Sequence, residues 1–228
     1  MKVIFGVSLI IALTITCFCF NALRAETVPA AAYAAGNAFL DVLKLHLQEE
    51  TSFQKGVFKT LNVNSSDEFS RATICDPYSC YRMTHNDLEY LESDAARFLL
   101  GATFTYYSFP LLIDEVPHGV IDVELNDSGW QGIGFKGEEP IFDFLFTLSK
   151  ENRAQSGNSF SLVILDTRVL FAFIRVKAGD YLVPFNENSA DELSLKDFSK
   201  TDFPRIPFSK AIGSLKEYSL KNDQRIDR

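Results

Sequence analysis

Histidine, methionine and tryptophan are scarce in this 228-residue sequence, at three, two and one copies, and the scarcity removes chemistry. His46, His85 and His118 lie far apart, and none belongs to the helical pair of a zinc protease, so no metal site is expected. Bases are also in deficit, 22 against 30 acids, with no long cluster of Lys and Arg. Nucleic acid and acidic membrane surfaces therefore meet net repulsion, and neither is expected as a partner. Gly129, Gly132, Gly134 and Gly137 crowd around Trp130 but lack both the dinucleotide fingerprint and the phosphate-loop lysine. No cofactor is expected. A coherent catalytic signature is missing too, and what is present describes a compartment and a fold better than a reaction.

The sequence begins with Lys2 and a nearly continuous apolar run from Val3 to Phe20, followed by a more polar stretch containing Ala25. That is the layout of a secretory signal peptide spanning residues 1–25, with cleavage after Ala22 as the alternative. A run of this length approaches a bilayer span. No strongly charged flank follows it, which favours cleavage and no stable membrane insertion afterwards. Thr16 before Cys17 and Phe18 before Cys19 do not suit lipid attachment. Loss of residues 1–25 removes Lys2, Arg24 and no acid, leaving 20 bases, 30 acids and a net charge near −10. The expected location is the periplasm, or else extracellular space. Residues 26–228 suit one well-filled core.

Two cysteines remain, Cys75 and Cys80, in "ICDPYSCYR". An oxidising compartment and an even count predict one disulfide between them. Asp76 and Pro77 supply turn material, so the bridge is expected to pin a loop at a hairpin end. Closing so short a loop would contribute about 2 kcal/mol. The competing reading is a nucleophilic thiol, Cys80 with His85 or Cys75 with Asp76. Four intervening residues do not match a redox pair, and two cysteines alone do not make a structural zinc site.

Residues 30–50 are rich in helix formers and place Phe39, Leu43 and Leu47 near one stripe. "VFKTLNV" then reads as extended, "NSSDEFS" as a turn and "RATIC" as a strand. A second helix is expected from a cap at Asn86, through Leu88, Leu91, Ala95 and Leu99, to Gly101. Two or three strands with tight turns follow. "VIDVEL" alternates apolar and acidic residues, which assigns Asp122 and Glu124 to the solvent side. Pro140 opens a short helix with Phe142, Leu145 and Phe146 facing the core. The polar stretch 151–159 is the best candidate for a subdomain boundary, and a strand-rich block and a frayed C-terminal tail with one short helix after Ser209 complete the chain. Helices distributed among antiparallel-looking strands predict an α+β fold, a predominantly antiparallel sheet with helices packed on one face. A β-sandwich with peripheral helices is the alternative.

Three groups of residues suggest activity. Tyr106, Tyr107, Trp130 and Tyr181 are placed to line one aromatic sheet surface for a small apolar ligand, a sugar or a peptide. Asp114, Glu115 and His118 cluster in "IDEVPHG", where a carboxylate can orient a proton-shuttling imidazole in a secreted hydrolase. Asp114, Asp166 and Asp180 are candidates for the paired acids of glycoside hydrolysis. Asn64 and Asn126 stand in glycosylation sequons in expected turns. Export, acidity and the lack of a catalytic signature favour a non-enzymatic binding or protein-interaction domain using the aromatic surface. The hydrolase is the alternative.

Overall fold

The structure, a computed structural model, describes residues 28–49, 51–84, 87, 102–137, 140–152, 159–165, 169–195, 198 and 203–226. The leader, His85, the helix expected from Asn86 and residues 153–158 of the boundary lie outside these. Helix α1 (Ala30–His46) follows the expected stripe, burying Leu40, Leu43 and, just past its end, Leu47. The extended reading of "VFKTLNV" is wrong. Residues Ser52–Leu61 form helix α2, because the Thr51 hydroxyl accepts the Gln54 N–H at 3.1 Å and Gln54, Val57 and Leu61 bury one helical face. The turn after it contains a single further helical turn, α3 (Ser66–Ser70), capped by Ser65.

Strands β1 (Thr73–Ile74) and β2 (Tyr78–Met83) lead to a meander of β3 (Thr103–Ile113), β4 (Val116–Asn126) and β5 (Gly129–Gly137). Helix α4 (Pro140–Asn152) precedes a second meander, β6 (Ser159–Leu165), β7 (Val169–Val176) and β8 (Gly179–Pro184). Helix α5 (Glu187–Glu192), strand β9 (Ile206–Pro207) and helix α6 (Phe208–Ile226) follow. The strands form one open sheet in the order β5-β4-β3-β2-β6-β7-β8-β9, with β1 beside β3. Among the described strands only β2 and β6 run parallel, and that pairing joins the two meanders. The fold is α+β, neither a closed barrel nor a sandwich.

Register assigns every side chain to one face. One row crosses the sheet as Gly132, Val123, Tyr107, Ser79, Ser161, Phe173, Leu182 and Ile206. Its face, termed lower, carries two apolar clusters: α1 to α3 over β3 and β4, and α6 over β6 to β8. Most of the described helices thus pack on this one face, as the sequence pattern predicts. The neighbouring row runs Gln131, Glu124, Tyr106, Cys80, Leu162, Ala172 and Val183 on the upper face. There helix α4 buries Ile141, Phe142, Leu145 and Leu148 against Cys80, Leu162 and Ala172. No helix among the described residues is long and apolar enough to cross a membrane.

Three bulges break the two-residue alternation. They insert Thr105 in β3, His118 in β4 and Ile133 in β5 relative to the partner strands. The first keeps Phe104 on the lower face with Tyr107. The third places Gly132 under α1 and Gly134 on the upper face.

The close approach of α1 to β5 depends on Gly132, where a Cβ would sit 2.5 Å from both Cβ and Cγ of Phe39. Those atoms lie at the root of the side chain and cannot swing away. Gly132→Ala should therefore destabilise the protein by about 1–3 kcal/mol in urea unfolding. Gly134→Ala, with nothing within 4 Å, should be neutral or stabilising by up to about 1 kcal/mol. Equal effects at the two glycines would contradict the packing of α1 on this strand.

Candidate functional site

The two cysteines do not form the expected bridge: Cys75 and Cys80 are both free thiols. Instead of turning back through Asp76 and Pro77, the chain continues along one edge of β3. The Cys75 N–H donates to the Pro110 carbonyl, whereas Cys80 stands opposite Tyr106. Four residues of β3 separate those two positions, about 13 Å at strand rise. A disulfide needs Cα atoms within about 7 Å. Cys80 points into the upper-face core, and burial pushes its thiol up to about 12, which leaves it protonated at neutral pH and unsuited to act as a nucleophile.

The three residues of the acidic turn meet different partners. Asp114 and Glu115 are the two central residues of the β3–β4 hairpin, both at positive φ, 50° and 67°. Arg71 holds the Asp114 carboxylate through Nε at 2.9 Å and Nη2 at 2.8 Å, and these hydrogen bonds keep the exposed carboxyl below its ordinary range. Glu115 is exposed, with Lys150 at 4.0 Å. The His118 Nδ1–H donates instead to the Leu61 carbonyl at the end of α2, 2.9 Å away. The three side chains thus engage three different partners. Asp180 is bound by Arg175, and Asp166 lies outside the described residues. Among the described residues no group of three or more His, Cys, Asp or Glu is placed to hold a metal ion.

The four expected aromatic residues divide between the two faces. Tyr107 is buried on the lower face, its ring 5.4 Å from that of Trp130, with Phe104 at 4.8 Å from Tyr107 and 6.3 Å from Trp130. Tyr81 meets Phe104 edge to face. This cluster runs outward from the core. Tyr107 is buried, Phe104 and Trp130 are partly exposed, and Leu125, opposite Trp130, is 55% exposed. Tyr106 and Tyr181 face the upper side, four strands apart, about 19 Å. Phe104 escaped sequence reasoning because only the bulge at Thr105 aligns it with Tyr107.

A polar network was also hidden in the sequence pattern. Asp122 does not face solvent as alternation suggested: it is 6% exposed, with Ser108 and Lys136 closed over its carboxylate. The Ser108 hydroxyl donates to one carboxylate oxygen, and the Lys136 ammonium lies 2.8 Å from the other. Lys136 also donates to the Tyr106 hydroxyl at 3.5 Å and sits over its ring, and the Cys80 thiol donates to Ser108. Burial raises Tyr106 to about 12. Burial works against the Lys136 charge, but Asp122 outweighs it and holds the ammonium above its ordinary range. At neutral pH the network supplies an ion pair, a phenol and a thiol, with no free base.

The sequon Asn126 is exposed at the β4–β5 turn, and Asn64 donates to Glu68 beside α3. A shallow concavity at the α1–α2 corner, lined by Leu45, His46, Glu49 and Phe53, contains none of the residues singled out for recognition or catalysis.

Two outcomes follow from the thiols. Cys75 should alkylate in the native protein without prior reduction and Cys80 only on unfolding; recovery of a linked Cys75–Cys80 peptide would contradict this. Cys80, raised from 9.0 to about 12, holds its proton in the folded state after the unfolded chain has lost it. Its contribution is constant below pH 9 and declines as pH rises toward 12. Urea unfolding should show that alkaline loss, with a shallower decline in Cys80→Ala; identical slopes would refute the buried thiol. Comparison with family models, curated proteins and solved structures finds no match to this chain.

Proposed function

We propose that this chain is an exported, non-catalytic binding domain that receives a small apolar ligand or an apolar peptide side chain at the lower-face aromatic rim. The observation that carries the reading is the outward continuation of the buried cluster. Phe104 and Trp130 stack from Tyr107 toward the surface and end at exposed Leu125. A rigid aromatic floor loses little side-chain entropy on binding, and an apolar group placed against it removes further area from water. Asp114 and His118, which suggested hydrolysis, are held by other protein groups, which favours recognition without covalent chemistry. Export is supported by the apolar run from Val3 to Phe20.

Trp130 is the only tryptophan, so its emission reports on the rim alone. Titration with fatty acids and with short apolar peptides should give a saturable shift for at least one class. Leu125→Ser, at an exposed position, should weaken that binding about tenfold, about 1.4 kcal/mol. No saturable shift with either class, or equal binding by the variant, would refute the rim as the site. Protein recovered from its own host should have an intact mass beginning at Glu26; retention of residues 1–25 would refute cleaved export.

A further inference from the structure

Strand β5 ends the sheet with β4 beside it, and among the described residues no backbone hydrogen bond leads from it to any other element. None of its nine residues is buried, whereas β4 buries Gly119–Val123. The outer edge is therefore open. Edges are ordinarily blocked by proline, by projecting charge or by a covering segment. β5 contains no proline, and the ammonium of its one charged residue, Lys136, is drawn to the Asp122 carboxylate. The bulge at Ile133 bends the far half of the strand, so regular pairing is confined to Gly129–Gly132.

Register decides which backbone groups that stretch presents. Asn126 and Gly129 flank the two-residue turn and exchange both ladder bonds, as do Glu124 and Gln131 two places on. Trp130 and Gly132 occupy the alternate pairs, so their N–H and C=O groups point away from β4. Both positions lie on the lower face. There the Trp130 indole and the Phe39 ring, which sits under Gly132, are partly exposed. Acids mark the same end of the edge: Glu124 is one strand in and Asp127 is exposed in the turn, in a chain with 30 acids against 22 bases.

We propose that this edge takes an extended peptide of alternating apolar and basic residues as an added antiparallel strand. Such a partner presupposes the aromatic rim, whose outer border it covers. Directly opposite residues of an antiparallel pair share a face. The peptide's apolar residues therefore exchange backbone hydrogen bonds with Trp130 and Gly132 and lay their side chains beside the Trp130 and Phe39 rings. Its basic residues turn to the upper face, on the side of Glu124 and Gln131. Main-chain bonds supply the affinity and alternate side chains the selectivity. A second copy of this chain fits the edge less well, because it brings like charge and a bulge of its own to the pairing.

Titration of the full chain with a short acetylated peptide alternating lysine with phenylalanine, followed by Trp130 emission, tests the pairing. Binding should be saturable. N-methylation of the phenylalanines removes the N–H groups that face β5 and should weaken binding about tenfold, whereas N-methylation of the lysines should change it by no more than about twofold. Glutamate in place of lysine should also weaken binding about tenfold. Amide hydrogen exchange should slow on binding at Trp130 and Gly132, while Gln131, bonded to β4, is protected in both states. Fatty-acid binding weakened by Leu125→Ser, together with equal affinity for the two methylated peptides or unchanged exchange at Trp130 and Gly132, would leave the rim standing and overturn strand addition. Absence of binding by fatty acids and peptide alike would overturn both. Equal binding of the acidic peptide, or sedimentation as a dimer that the peptide leaves intact, would overturn the choice of partner.

Discussion

Strand alternation, interrupted at three bulges, governs everything else in this protein. Successive residues of β3 point to opposite faces, so Tyr106 and Tyr107, adjacent in sequence, belong to different environments. Tyr107 joins the aromatic packing under α1, whereas Tyr106 joins the polar groups beside α4. The bulge at Thr105 then returns Phe104 to the side of Tyr107, and the bulge at Ile133 places Gly132 under Phe39 while leaving Gly134 open. A one-residue change of register would exchange these sets and bury the wrong chemistry on each face.

The upper face shows what such placement costs and gives. A carboxylate 6% exposed is tolerable only with its oxygens paired, and Asp122 has Ser108 on one and Lys136 on the other. Lys136 can make the pair because it comes from the edge strand, where its stem stays in solvent while its ammonium reaches inward. The same arrangement fixes the Lys136 ammonium between the Asp122 carboxylate and the Tyr106 hydroxyl. Beneath it, Cys80 and Ser108 continue the hydrogen bonding into the layer covered by α4, so the surface group rests on a rigid interior. The lower face is built differently: its aromatic rings interlock by edge and tilted contacts, and the recognition surface is the unfinished border of that packing.

Much of the architecture was legible because it depends on local pattern. The stripe through α1, the proline that opens α4 and the alternating meanders follow from side-chain spacing and turn chemistry. The α2 segment was misread because Val57, Leu61 and Val63 fit a strand at a glance, while the Thr51 cap that starts the helix lies six residues earlier. Cys75 and Cys80 misled for a similar reason. Turn residues between two cysteines suggest closure, but β1 and β2 are successive segments along one edge of β3, which no local spacing reveals. Asp122 was read from its alternating strand alone, whereas its carboxylate is held by Ser108 and Lys136 from the two neighbouring strands. The candidate surfaces were therefore the least legible part, since each depends on register between strands and on bulges rather than on a motif.

The measurement that tests this arrangement most directly is a carbon-edited NOESY spectrum of the full chain with assigned aromatic side chains. The account predicts cross-peaks between the Trp130 indole and the Tyr107 ring, and between the Lys136 ε-methylene and the Tyr106 ring, with none between Trp130 and Tyr106. A Trp130–Tyr106 cross-peak in place of the Trp130–Tyr107 one would mean that the register is shifted by one residue, and the proposed aromatic rim would fall with it.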